Sequence, residues 1–106
     1  MVIADALTSR YQRRILDFAA QSLLPAAYED RGWVADGGLM ANGPSRAGLF
    51  RRAACYVDRI LKGAKPADLP VEQPREFGFV VNLRTAQALG LTLPQHVLLQ
   101  ATEVIQ

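Results

Sequence analysis

Residues able to do chemistry are sparse in this chain, and the most useful of them are acids near the ends of strand-like runs. Asp5 follows the short apolar run Val2-Ile3-Ala4, the point at which open α/β sheets present side chains to a ligand. A carboxylate there would receive an ammonium group, and the same residue would equally serve a loop by accepting backbone N–H bonds. Gly37-Gly38 and Gly43 are spaced neither as GxGxxG nor as GxxxxGK followed by Ser or Thr, so turn geometry accounts for them better than a phosphate cradle. His96 has no partner arranged for acid–base or nucleophilic work and reads as a structural histidine, at the surface or half-buried. Cys55 lies beside an apolar stripe, where a small buried hydrophobe is its ordinary role. Tyr28 and Trp33 stand near loop acids and would either line an apolar pocket or pack in the core.

Composition narrows the classes further. The chain has 106 residues, enough for one modest domain and short for a protein that closes a cleft between two lobes. Hydrophobic residues make up 50% and charged residues 21%, the usage of a folded globular chain. The net charge of +2 is too small to argue for binding a phosphate backbone. Arg10, Arg13 and Arg14, with Arg46, Arg51 and Arg52, read as solvated helix faces because no stacking aromatics interleave them, so no nucleic-acid partner is expected. One cysteine excludes an internal disulfide, and with a single histidine it excludes a His/Cys metal cluster within one chain. No nucleophile, base and orienting group fall together, so catalytic residues, cofactors and metals are all expected to be absent. Met1-Val2-Ile3-Ala4-Asp5 lacks the basic stretch and apolar run of a secretory leader, so the residues alone predict a cytoplasmic chain if Met1 is the start.

The elements that would position these residues alternate between strand and helix. Val2-Ile3-Ala4 predicts a strand, and Thr8 or Ser9 an N-cap for a helix whose apolar face carries Tyr11, Ile15, Phe18, Ala19 and Ser22. Leu23-Leu24-Pro25 ends it. Ala26-Ala27-Tyr28 predicts a second strand, and the polar stretch 29–32 leads into a single turn around Trp33 that Gly37-Gly38 breaks. Leu39-Met40-Ala41 predicts a third strand, followed by the turn residues Asn42-Gly43-Pro44 and the N-cap Ser45. A helix over 46–62 is the clearest element, with Leu49, Phe50, Ala53, Ala54, Val57, Ile60 and Leu61 as its stripe and Gly63 as its left-handed end. Pro66, Pro70 and Pro74 make 64–74 an extended connection, the expected hinge-like crossover. A strand over 77–81, a short helix capped by Asn82 and stopped by Gly90, a further helical turn after Pro94 and a short strand at 103–105 complete the chain. Such alternation predicts an α/β layered domain with a mainly parallel sheet that is small or incomplete.

Three phrases, in this order and spacing, resemble a known family. They are Ile3-Ala4-Asp5 through Thr8-Ser9-Arg10, Trp33-Val34-Ala35-Asp36-Gly37-Gly38-Leu39-Met40, and the stretch 60–74 beginning Ile60-Leu61-Lys62-Gly63-Ala64-Lys65-Pro66. Val81-Asn82-Leu83 with Thr85-Ala86, Ala88-Leu89-Gly90-Leu91 and Pro94 continues the match over essentially the whole chain. The resemblance is to ABC-transporter substrate-binding proteins whose better-understood members bind aromatic amino acids.

That resemblance implies a periplasmic binding protein of the first structural type, a Rossmann-like three-layer α/β fold with two lobes on the order of 150 residues each at most. Residues 1–44 would resemble part of the C-terminal lobe and 45–106 the crossover and elements of the N-terminal lobe. It also implies a small-molecule solute as ligand, possessing amino-acid-like chemistry, an ABC permease as partner and a periplasmic location. Carried over by position, the cleft-facing loops nominate Asp5, Glu29, Asn42 and Gly43 as ligand-binding residues. Ala41-Asn42-Gly43 stands where family members commonly carry Ser-Tyr-Gly, which removes a stacking surface for the ligand. Strands without their sheet neighbours would expose unpaired backbone and apolar faces, so a homo-oligomer is expected. The alternative function is an oligomeric interaction protein derived from such a fragment, without transport.

Overall fold

The computed structural model describes residues 1–3 and 5–106; Ala4, the last residue of the first expected strand, lies outside the described residues. The described elements are α1 (Ala6–Arg10), α2 (Gln12–Gln21), β1 (Ala27–Tyr28), α3 (Arg31–Ala35), β2 (Met40–Pro44), α4 (Arg46–Leu61), a 3-10 turn (Pro66–Asp68), β3 (Phe77–Asn82), α5 (Leu83–Ala88), α6 (Gln95–Gln100) and β4 (Glu103–Ile105). The chain divides into two compact units, 1–43 with 78–106, and 44–77.

The first unit is built on a four-stranded sheet in the order β1-β2-β3-β4. β1 pairs with β2 in parallel, Tyr28 opposite Ala41, and β3 with β4 in parallel, Val81 opposite Val104. Val2 adds a parallel bridge to Tyr28 on the outer side of β1. Asn82 N–H bonds Leu39 C=O and Ser45 N–H bonds Glu76 C=O, so numbers rise on β2 as they fall on β3 and the two strands are antiparallel. The sheet is therefore mostly parallel and flanked by helices, an α/β fold as the alternation predicts.

Val80 and Val81 are adjacent and both buried, the pattern of a strand covered on both faces, which fits the interior position of β3. Around it gather Leu16, Tyr28, Trp33, Val34 and Ala41. Tyr28 and Trp33 stack with ring centroids 5.0 Å apart, so of the two roles open to them the structure assigns core packing. Gly38 is required there, since a Cβ would meet the Tyr28 ring at 2.7 Å. Asn82 is the buried polar residue of this core; its side-chain amide donates to the Val34 carbonyl at 3.1 Å and its oxygen accepts the Thr85 N–H, capping α5.

The first helical region departs from the sequence expectation in two ways. It starts at Ala6 with Asp5 as the N-cap, ahead of Thr8 and Ser9. The face of α2 that packs inward carries Leu16 and the half-buried Ile15 and Ala19, while Phe18 is 63% exposed. The apolar line through Tyr11 and Phe18 is thus rotated off the core. α2 ends at Gln21 with Ser22 as its C-cap, and Leu23 beyond it, at a φ of 51°, takes the chain out of helical geometry before Pro25.

The second unit is a single long helix with a strap. α4 spans 16 residues, begins at the N-cap Ser45 and ends at Gly63, whose φ of 106° is the left-handed geometry expected there. Tyr56 Oη donates to the Pro70 carbonyl and Arg52 pairs with Glu72, holding the proline-rich stretch against the helix. Residues 64–74, expected as the crossover, lie inside this unit. The chain changes units at Gly43–Pro44 and at Phe77–Gly78 instead, because the strap has partners on α4. β3 and β4 join the sheet of 1–43. Cys55 is exposed rather than buried, because α4 turns it away from the strap.

Candidate functional site

The register of the sheet decides which nominated residues meet. Val2, Tyr28 and Ala41 are aligned across three parallel neighbours, so the chain after each leaves at one edge. Asp5 follows Val2, Glu29 follows Tyr28, and Asn42-Gly43 follow Ala41. Of the four residues nominated as ligand-binding, Glu29 follows the last residue of β1, and Asn42 and Gly43 lie in the part of β2 beyond its last pair with β1. Asp5 lies three residues past the Val2 bridge, so all four fall toward the C-terminal side of this parallel group, where α/β sheets hold ligands.

Glu29 and Gly43 touch through their backbones: a Cβ on residue 43 would overlap the Glu29 carbonyl oxygen, so only glycine lets these strand ends close up. Glu29 is half-buried and Asn42 is exposed. Asp5 is exposed and already engaged in a capping box: its Oδ1 accepts the Thr8 N–H at 2.7 Å, and its own N–H donates to Thr8 Oγ1 at 2.8 Å. Those bonds, the Thr8 backbone N–H first and its hydroxyl second, hold the Asp5 carboxyl below the ordinary aspartate range. The edge thus offers carboxylate chemistry suited to a cationic group and an amide able to donate and accept.

Two ion pairs escaped sequence reasoning. Arg31, the first residue of α3, reaches Glu103 of β4 with Nη2 2.5 Å from Oε1, and the pairing keeps the Glu103 carboxyl below its ordinary range. Arg52 and Glu72 make the equivalent fork in the second unit, beside a cavity of about 200 Å³ lined by Ser45, Gly48, Arg52, Glu72, Arg75 and Glu76. No local motif marks either pair, since the partners are 72 and 20 residues apart. His96 is exposed. Among the described residues no helix is long and apolar enough to cross a membrane, and no three His, Cys, Asp or Glu side chains gather as a metal site.

Comparison with known proteins gives the fold its relatives. A conserved domain protein from Vibrio cholerae O1 biovar eltor is similar over 96% of this chain and 34% of its own, with a TM-score of 0.89 and 26% identity. The ABC domain in complex with L-Trp from Streptococcus pneumonia is similar over 95% of this chain and 34% of its own, with a TM-score of 0.87 and 31% identity. A ligand-free, open substrate-binding protein with adhesive properties from Clostridium difficile shares the fold at a TM-score of 0.68 and 22% identity, over 99% of this chain and 35% of its own. The chain spans about a third of the length of these structures. No curated protein matches it. The model of the ABC transporter substrate binding protein family matches residues 1–105, and the chain belongs to that family.

Proposed function

We propose that this chain forms part of the solute-binding component of an ABC importer and takes a small amino-acid-like ligand at the C-terminal edge of β1 and β2. The observation that carries the reading is that Glu29 and Gly43 meet beyond the last β1–β2 pair, with Asn42 beside them in the chain and Asp5 past the parallel Val2 bridge on the same side. The 31% identical relative with L-Trp bound supports the ligand class. In this reading the acids receive the ligand's ammonium group and the Asn42 amide meets its carboxylate. Asn42 supplies no ring, so an aromatic side chain loses a stacking partner and binds more weakly than a residue such as Tyr would allow.

Residues 1–43 with 78–106 would belong to one lobe and 44–77 to the other. A complete protein of this kind would close around its ligand, and its closed form would dock on a membrane permease. Its work would lie in the periplasm or outside the cell, and no covalent step is involved. Isothermal titration against a panel of amino acids, L-Trp first, tests this. Submillimolar binding is expected, and silence at millimolar ligand would contradict it.

A further inference from the structure

Glu29 follows β1, and β1 is two residues long. A strand that short does little by its own ladder to fix the residues beyond it, so other contacts must set where Glu29 stands. Gly43 supplies one, lying so close to the Glu29 carbonyl that a Cβ would overlap it. Further along the chain, Asp30 caps α3 by accepting the Gly32 N–H at 2.7 Å. Arg31 then forks onto Glu103, Nε to Oε2 at 2.7 Å and Nη2 to Oε1 at 2.5 Å.

This fork differs in kind from the ion pairs within helices. Arg13–Asp17 and Asp58–Lys62 join positions four apart on one helix, so each constrains only the turn it stands on. Arg31 and Glu103 are 72 residues apart and join the stretch after β1 to β4, the two ends of the strand order β1-β2-β3-β4. The start of α3 is thereby tied across the sheet, and Glu29 stands two residues from the tie.

We propose that Arg31, held by Glu103, is a positioning residue for Glu29: the fork fixes residues 29–32 in the placement that presents Glu29 to the solute. The proposal rests on the sheet-edge reading above and adds to it the contact that sets the acid's position. Arg31 acts through the backbone it shares with Glu29. Both partners of the fork are partly exposed, so its contribution is bounded by the worth of an exposed two-bonded pair. A ligand that needs the ordered stretch gives up that much affinity when the fork is cut.

Isothermal titration of the full chain with L-Trp, run well below each variant's unfolding midpoint, tests it together with amide hydrogen exchange in the absence of ligand. Arg31→Gln and Glu103→Gln are each expected to weaken L-Trp binding about fivefold. Each is also expected to speed exchange at the Gly32 N–H, the bond the Asp30 cap makes beside the fork. The double variant R31Q/E103Q is expected to bind no more weakly than either single one, because the two residues act as one unit. Arg52→Gln cuts the matching fork of the other unit and is expected to leave the affinity unchanged, which separates positioning from a general loss of stability. Single variants that bind as tightly as the wild type overturn this proposal alone, as do losses that add in the double variant or an equal loss in Arg52→Gln. A wild type silent at millimolar L-Trp overturns the sheet-edge reading and this proposal with it.

Discussion

Every buried side chain among the described residues lies in the unit made of 1–43 and 78–106, and none lies in 44–77. Both regions contain well-capped helices, and α4 is the longest in the chain. Good local signals therefore form an element without giving it a core; burial comes from having a sheet to pack on. The difference assigns cooperative stability to the sheet unit.

Trp33→Ala should have the largest effect, a loss of about 4 kcal/mol in urea unfolding, because it empties the stacked site against Tyr28 at the centre of the core. An unfolding midpoint close to that of the wild type would remove the sheet unit from its place as the stable region. Asn82→Ala follows at roughly 2 kcal/mol, from losing the cap on α5 and the side-chain bond to the Val34 carbonyl, which keeps the Gly37 N–H. The same chemical change then separates the regions directly. Val34→Ala, fully buried, should cost about 2 kcal/mol, and Val71→Ala, fully exposed on the strap, less than about 0.5 kcal/mol. Equal losses would erase the contrast.

Acid gives the smallest effect. The Arg31 guanidinium, by hydrogen bonding first and charge second, holds the Glu103 carboxyl below its unfolded value, so the pair adds stability at neutral pH. That contribution fades as pH falls from about 4.3, the ordinary glutamate value, through the lowered folded one. Glu103→Gln should flatten the stability curve in that window and leave its shape unchanged above it. A curve of unaltered slope below pH ~4.3 would mean that the pair contributes nothing.

Legibility in the sequence followed the same divide between local and distant causes. Ser45, Gly63 and Asn82 marked ends that the structure reproduces, because caps and left-handed glycines act within a turn of the chain. Residues 77–81 carried their own strand signal. The stripe on α4 was equally clear, yet periodicity reports a face that wants cover and is silent on whether cover is present. On α2 the inward face turned on Leu16 rather than Phe18, a choice made by Tyr28 and Trp33 from other elements. At the sheet edge, family position nominated four residues, and of these the strand register sets Glu29 against Gly43. That Asp5 also caps α1 follows from Thr8 three residues on, a spacing visible in the sequence and assigned there to Thr8 itself. The Arg31–Glu103 and Arg52–Glu72 forks had no sequence signature, since tertiary folding alone brings these residues together.

The central functional claim is that a small amino-acid-like solute is read by the edge where β1 and β2 end. Residue-resolved amide NMR during titration with L-Trp tests it most directly. The account predicts saturable shifts concentrated at residues 5, 29, 42 and 43, with α4 unaffected. Unchanged spectra at millimolar L-Trp, or shifts confined to 44–77, would contradict it.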